Sequence, residues 1–190
     1  MKKIAIIGCG GACKSTLARQ LGDMLHLEVI HLDTLYWKSG WVETPRPTWL
    51  TIQENLVQRS SWIIDGNYGS TMDIRLAAAD TIIFLDMPRR LCLWRALKRR
   101  VRYHGKCRPD LTPGCPEQFD AQFLRWIWNF PQKRPDILKK LEAYQAEKTV
   151  IHLRSPRALK RFLKRLERER PVPYQPLAPR PSSHKGHPLN

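Results

Sequence analysis

The stretch that most restricts what this chain can fold into lies near residue 8. Lys3-Ile-Ala-Ile-Ile7 is a short apolar run with β-branched residues, which predicts a buried strand, and it leads straight into Gly8-Cys-Gly-Gly-Ala-Cys-Lys-Ser15. Leu17, Leu21 and Leu25, with Ala18 beside them, then recur at helical spacing and predict a helix from Lys14 to about His26. A strand that turns through glycines into a helix makes an anion site, because successive loop N–H groups and the helix N-terminus converge on one point. The segment matches G-x-x-x-x-G-K-[ST] at every defined position but one, where Cys13 stands in place of the second glycine. Gly8, Gly10, Gly11, Ala12, Cys13, Lys14, Ser15 and Thr16 are therefore the expected contacts of a nucleotide's phosphates. In this arrangement Lys14 bridges the β- and γ-phosphates of ATP and the Ser15 hydroxyl ligates Mg²⁺.

The consequence of Cys13 depends on its backbone. A left-handed conformation would cost a side chain there ~1–2 kcal/mol and bring a Cβ toward the phosphate, whereas helical dihedrals would cost little. In the first case ATP still binds, but more weakly than with glycine at position 13. Cys9 and Cys13 bracket the loop, so they are either inert small residues or thiols whose modification obstructs phosphate entry.

Further along, Glu28–Leu32, Trp62–Ile64, Thr81–Leu85 and Thr149–Leu153 are short apolar runs that read as four more buried strands. Asp33, Asp65 and Asp86 each stand just past a strand end. Residues 34–60 hold Trp37, Trp41, Trp49, Pro45 and Pro47, then a helical pattern through Ile52, Leu56 and Val57; they read as an inserted excursion on the acceptor side, not a sheet element. Residues 88–104 form a predicted helix with Leu91, Leu93, Trp94, Leu97 and Val101 as its apolar positions and a densely basic opposite face. A Gly- and Pro-rich loop over 103–116 is expected to be a mobile lid, followed by helices over 117–129 and 135–146. Ser155 caps a last helix from Pro156 to about Glu169. Residues 171–190 are proline-rich with little to bury and read as a disordered tail, leaving one domain over 1–170.

Strands separated by helices, with connections too long for hairpins, predict an α/β fold with a five-stranded parallel sheet flanked by helices. Ligands in such sheets bind at the carboxyl ends of the strands, where the glycine loop, Asp33, Asp65 and Asp86 all fall.

Lys and Arg number 33 against 17 Asp and Glu, a formal charge of +16 that calls for an anionic partner: a nucleotide, a nucleic acid or an acidic membrane surface. No run approaches the roughly 18 apolar residues that cross a bilayer, so the expectation is a cytoplasmic protein without a membrane partner. Five irregularly spaced cysteines argue for reduced thiols and against a disulfide framework.

The segments G8-C-G-G-A-C-K-S-T-L-A-R-Q-L21, H31-L-D-T-L-Y-W37, W62-I-I-D-G-N-Y68 and D80-T-I-I-F-L-D-M-P-R-R-L-C-L-W-R-A-L-K-R99 together resemble the small P-loop proteins known as DNA topology modulation proteins. These are similar to adenylate kinase and other nucleoside monophosphate kinases, and the resemblance covers residues 1 to 168. It implies an adenylate-kinase-like P-loop NTPase fold with ATP and Mg²⁺ as cofactors. On that basis Asp65 orients Mg²⁺ through water and shares the metal with Ser15. Arg95 and Arg99 match the paired arginines at the start of the lid; four residues apart, they occupy one helical face and suit the charge on transferring phosphoryl oxygens. Their alternative is a solvated basic face, since nine basic residues and no acid lie between Arg89 and Pro109. Asp33 falls where related kinases of small metabolites place an acid on the acceptor hydroxyl, so it binds the acceptor or serves as its base, unless it is simply a helix cap. Arg75 would hold an acceptor phosphate, although the residues between it and the D-G-N-Y segment differ from the family pattern. Tyr36, Trp37 and Trp41 are either an acceptor-stacking wall or core. Asp86 ends an apolar strand and has the look of a metal-binding aspartate, but in adenylate-kinase-like chains this position is more often structural, so it ranks as an alternative to Asp65. Zinc on His104, Cys107 and Cys115 is disfavoured, because a four-ligand site with C-x₂-C spacing is absent.

The leading expectation is therefore a kinase that transfers the ATP γ-phosphoryl to a small acceptor, a nucleotide or nucleoside, with Lys14, Arg95, Arg99 and Asp33 in catalysis. The rival is a nucleic-acid-binding or regulatory P-loop ATPase, favoured by the excess of basic residues on helix faces outside the nucleotide site.

Overall fold

The computed structural model describes residues 1–105, 111–116 and 120–169. The expected tail at 171–190, Cys107 and the middle of the lid loop lie outside them. Parallel strands β1 (Lys3–Gly8), β2 (Val29–His31), β5 (Trp62–Asp65), β6 (Thr81–Leu85) and β7 (Thr149–Leu153) form one sheet in the order β2-β5-β1-β6-β7. Ile4 to Ile7 and Ile82 to Leu85 are buried on both faces, which explains why these runs are continuously apolar and do not alternate. Helices α1 (Lys14–Leu25), α3 (Arg46–Gln58), α4 (Met72–Ala78), α5 (Arg89–Arg102), α6 (Ala121–Asn129), α7 (Arg134–Glu142) and α8 (Pro156–Glu169) flank the sheet. Asp80 fastens the entry of the central strand: it accepts from the amides of Lys2 and Lys3 at 2.6 and 2.9 Å and from the Thr81 hydroxyl at 2.7 Å.

The second strand is shorter than expected. Leu32 and Asp33 already belong to a one-turn helix, α2 (Leu32–Tyr36). The excursion over 34–60 carries a small sheet of its own, the antiparallel hairpin β3 (Trp37–Lys38) and β4 (Val42–Glu43), ahead of α3. Ser155 caps α8 as expected, accepting from the Ala158 amide at 3.2 Å. Asp120 does the same for α6, accepting from Gln122 and Phe123.

Helix α5 corrects the sequence reading most. Its expected apolar residues Trp94, Leu97 and Val101 are 55%, 44% and 79% exposed, while the small residues Cys92 and Ala96 are the ones buried. Small side chains let the helix backbone approach the glycine loop, and a Cβ on Gly11 would collide with the Cys92 carbonyl oxygen. Among the described residues no helix is long and apolar enough to cross a membrane.

Candidate active site

The glycine loop leaves the carboxyl end of β1 beside β6. Gly8 has φ 145°, and a Cβ there would sit 2.5 Å from the Leu85 carbonyl oxygen. Gly11 has φ 76° and is crowded by Cys92, so neither position admits a side chain. Cys13, just before α1, has φ 71° and ψ 28°. Of the two conformations open to it in the sequence, it takes the left-handed one that favours glycine. Its carbonyl accepts the first helical hydrogen bond, from Leu17 at 3.0 Å. Lys14 folds back over the loop and donates from Nζ to the Cys9 carbonyl at 3.0 Å.

A cleft of about 1240 Å³ opens at these strand ends. Its walls bring together Gly10, Gly11, Cys13, Lys14, Ser15 and Thr16 with Asp33, Asp65, Arg95 and Arg99, residues far apart in sequence. Gly8 and Ala12 are buried and do not line it, so within the loop they act as packed backbone.

Asp65 ends β5 and is 4% exposed. His31 is its register partner on β2, and His31 Nδ1 lies 3.1 Å from Asp65 Oδ2. The next residues tie this strand end to the phosphate loop: the Gly8 amide donates to Asn67 Oδ1 at 3.3 Å, and the Gly66 amide to the Ile6 carbonyl at 3.2 Å. Ser15 and Asp65 both line the cleft and offer it oxygen ligands of the kind Mg²⁺ prefers. Among the described residues no three His, Cys, Asp or Glu side chains cluster to hold a metal by themselves, so a cation here would take its other ligands from phosphate and water.

Arg95 and Arg99 project from α5 into the cleft wall and are half-buried. Arg95 Nη1 is buried without a hydrogen-bond acceptor among the described residues. A charged donor in that position is costly unless a ligand supplies the acceptor. The Arg99 guanidinium lies 5.8 Å from the Phe123 ring, and Phe123 stacks on Trp126 at 5.8 Å and 15°. A Cβ on Gly10 would be 2.6 Å from Phe123, so α6 lays an aromatic pair directly against the phosphate loop. Sequence reasoning missed both rings, which sit on an element more than 100 residues downstream of the loop; their i, i+3 spacing was the available signal.

At the other end of the cleft, the Tyr68 hydroxyl donates to Asp33 Oδ1 at 2.8 Å. Burial, then the charge of Asp33, pushes the Tyr68 hydroxyl far above the ordinary phenol range, so it remains a donor. Trp37, Trp41 and Tyr68 line this end, with Tyr36 and Trp49 packed behind them: Tyr36 lies 5.0 Å from Trp37 and 4.7 Å from Tyr68, and Trp37 lies 5.3 Å from Trp41. Tyr36 is thus a backing residue and does not line the cleft. The described end of the lid loop docks on this hairpin. Gly40 donates to the Gly114 carbonyl at 2.9 Å and Trp41 Nε1 to the Pro116 carbonyl at 3.0 Å, and the one Thr112 hydroxyl proton is shared between the Thr34 and Trp37 carbonyls, 2.9 and 2.5 Å from its oxygen.

Arg75 is not where the sequence reading put it. It is 1% exposed and absent from the cleft surface. Its Nη1 donates to Gln53 Oε1 at 2.8 Å and to the Thr71 hydroxyl at 3.1 Å, and its Nη2 reaches the Gly66 and Tyr68 carbonyls at 3.4 Å. It holds the D-G-N-Y loop from within, at an electrostatic cost: burial lowers its pKa to about 10. Asp86 is also occupied, by Arg134 Nε at 2.8 Å through Oδ1 and by His152 Nε2 at 3.0 Å through Oδ2, which makes it a structural anchor for α7 and β7. Cys9 is 2% exposed; the hydrogen bond to Cys92 and burial push its thiol up, the behaviour of a packing residue. Cys115 is buried with its thiol donating to the Lys38 carbonyl at 3.1 Å, and His104 Nδ1 is 2.8 Å from Arg100.

No family model and no curated protein matches the chain. Solved structures do match over most of its length. A shikimate kinase from Acinetobacter baumannii in complex with shikimate aligns with TM-score 0.50 and 17% identity, over 89% of this chain and 95% of that one. A deoxyadenosine kinase from M. mycoides with products dCMP and dCDP bound aligns with TM-score 0.51 and 13% identity, over 87% and 96%. A shikimate kinase from Bacteroides thetaiotaomicron aligns with TM-score 0.50 and 16% identity, over 87% and 95%. The chain therefore has the fold of the small-molecule P-loop kinases, a five-stranded parallel sheet flanked by helices.

Proposed function

We propose that the protein is an ATP-dependent phosphotransferase that moves the γ-phosphoryl of ATP to a small acceptor, a nucleotide or a nucleoside. One observation carries this reading: a single cleft joins the phosphate loop with Lys14, the arginines of α5 and, at its far end, the carboxylate of Asp33. A nucleotide-binding site alone has no use for a carboxylate backed by a tyrosine hydroxyl on a wall of aromatic rings. The resemblance to kinase-like P-loop proteins in the sequence supports the same conclusion.

Lys14 would exchange its contact with the Cys9 carbonyl for the β- and γ-phosphates, a low-cost exchange of one acceptor for a charged one. Arg95, with a buried N–H lacking an acceptor, would meet the equatorial oxygens as charge shifts during transfer, with Arg99 beside it. Asp33 would take the acceptor's proton, held in place by Tyr68. Ser15 and Asp65 would hold Mg²⁺, which supplies charge neutralisation on the phosphates when bound.

The test is an acceptor panel with ATP and Mg²⁺, followed by ATP depletion, beside a Lys14→Ala control. Depletion that requires both an acceptor and Lys14 supports the kinase. Turnover without an acceptor that duplex DNA stimulates would replace it with the ATPase reading.

A further inference from the structure

The acceptor end of the cleft carries information about what it can hold, and that inference rests on the phosphotransferase reading above. Its two acids are both supported by tyrosine hydroxyls: Tyr68 donates to Asp33 at 2.8 Å and Tyr36 to Glu43 at 2.9 Å. The rings of Trp37 and Trp41 stand beside them on the same wall, 5.3 Å apart and at 72° to one another. Arg75, the arginine that follows the D-G-N-Y segment, is sealed in the core with its guanidinium engaged by Gln53, Thr71 and two carbonyls; among the described residues the arginines lining the cleft are Arg19, Arg95, Arg99 and Arg102. On the α7 side, Lys140 is held by both oxygens of Asp73 at 2.6 and 2.5 Å, and Lys133 shares its rim with Asp136.

A phosphate on the acceptor would meet the like charges of Asp33 and Glu43 on this wall. An alcohol fits instead. Its hydroxyl can donate to Asp33, and a flat ring can lie against indole faces. The nucleophile points the same way: a phosphate oxygen is already ionised at neutral pH and needs no base, whereas a hydroxyl must lose a proton, which is what a carboxylate at this position can accept.

We propose that the acceptor is an uncharged, ring-bearing alcohol of the nucleoside class, and not the corresponding monophosphate. In the transfer, the acceptor hydroxyl oxygen forms a bond to the γ-phosphorus. The bond from that phosphorus to the β–γ bridging oxygen breaks, ADP leaves with the electron pair, and the hydroxyl proton passes to Asp33 and then to solvent.

The experiment measures kcat/KM of the full chain with Mg²⁺·ATP for the common ribo- and deoxyribonucleosides and, separately, for their 5′-monophosphates. The expected result is a preference for at least one nucleoside over its monophosphate of about 100-fold or more. Trp37→Ala should raise KM for that nucleoside about 10-fold while leaving kcat within about 3-fold, as loss of stacking predicts. Equal or preferred use of monophosphates, with the preference lost in Lys133→Ala or not, overturns this inference and leaves the phosphotransferase reading intact. ATP bound but no acceptor of either kind phosphorylated overturns both.

Discussion

The Tyr68 hydroxyl donates to Asp33 Oδ1 at 2.8 Å, joining residues 35 positions apart at the end of the cleft opposite the phosphate loop. A carboxylate held this way has one oxygen fixed and the other available to an incoming hydroxyl. Asp33→Asn keeps the shape and removes the base, so kcat should fall by about 10²–10⁴-fold. ATP affinity, measured by titration calorimetry, should not change. Tyr68→Phe should cost less, because it loosens the carboxylate without removing it.

Cys13 sits at φ 71°, where a side chain costs ~1–2 kcal/mol. Cys13→Gly relieves that cost, against an unfolded-chain entropy cost of about 0.5–1 kcal/mol for the new glycine. The net expectation is a small rise in thermal stability and ATP binding tighter by a few-fold, since the Cβ beside the phosphate site is also gone. Equal ATP affinity for the two proteins in a titration would show that Cys13 does not impede the phosphates.

Arg75 and Arg95 should separate cleanly. Arg75→Ala leaves Gln53 and the Gly66 and Tyr68 carbonyls without their donor in the core, and urea unfolding should show a loss of about 3 kcal/mol. Arg95→Ala removes a half-buried cation with an unsatisfied N–H, so stability should hold or rise slightly while kcat falls about 100-fold or more. A matching loss of stability in both variants would contradict this assignment.

Asp80 predicts a pH dependence of folding. Burial alone would raise its pKa, but hydrogen bonds from the Thr81 hydroxyl and the Lys3 and Lys2 amides prevail and hold it below the usual carboxylate value. A folded pKa below the unfolded one means that Asp80 stabilises the fold above the unfolded value of about 3.9, and that the contribution is lost as pH falls through the folded pKa. Asp80→Asn should therefore be less stable than the parent at pH 7, and the two unfolding curves should converge in acid.

The strands and the phosphate loop were legible in the sequence because their signals are local. A buried parallel strand is a short apolar run, and Gly8 to Ser15 carries its chemistry in consecutive residues. The cleft residues at strand ends followed from the sheet. What escaped depends on pairing across the chain. Arg75 resembled a ligand-binding arginine until Gln53, 22 residues away, proved to be its partner. Asp86 carried both a structural and a metal-binding reading, and Arg134 and His152 on its two oxygens favour the structural one. Helix α5 read as an ordinary amphipathic helix, but close approach to Gly11 selects for small residues at Cys92 and Ala96 and leaves Trp94 and Val101 outside. In each case the deciding contact is long-range, and no periodicity records it.

The central claim is that this cleft transfers the γ-phosphoryl of ATP to an acceptor hydroxyl. The most direct measurement follows ATP labelled at the γ-phosphorus through incubation with Mg²⁺ and a nucleoside panel, and asks where the label goes. The account predicts label covalently attached to an acceptor, with the rate reduced at least about 100-fold in Lys14→Ala. Label recovered only as inorganic phosphate, or transfer that is insensitive to Lys14→Ala, would contradict it.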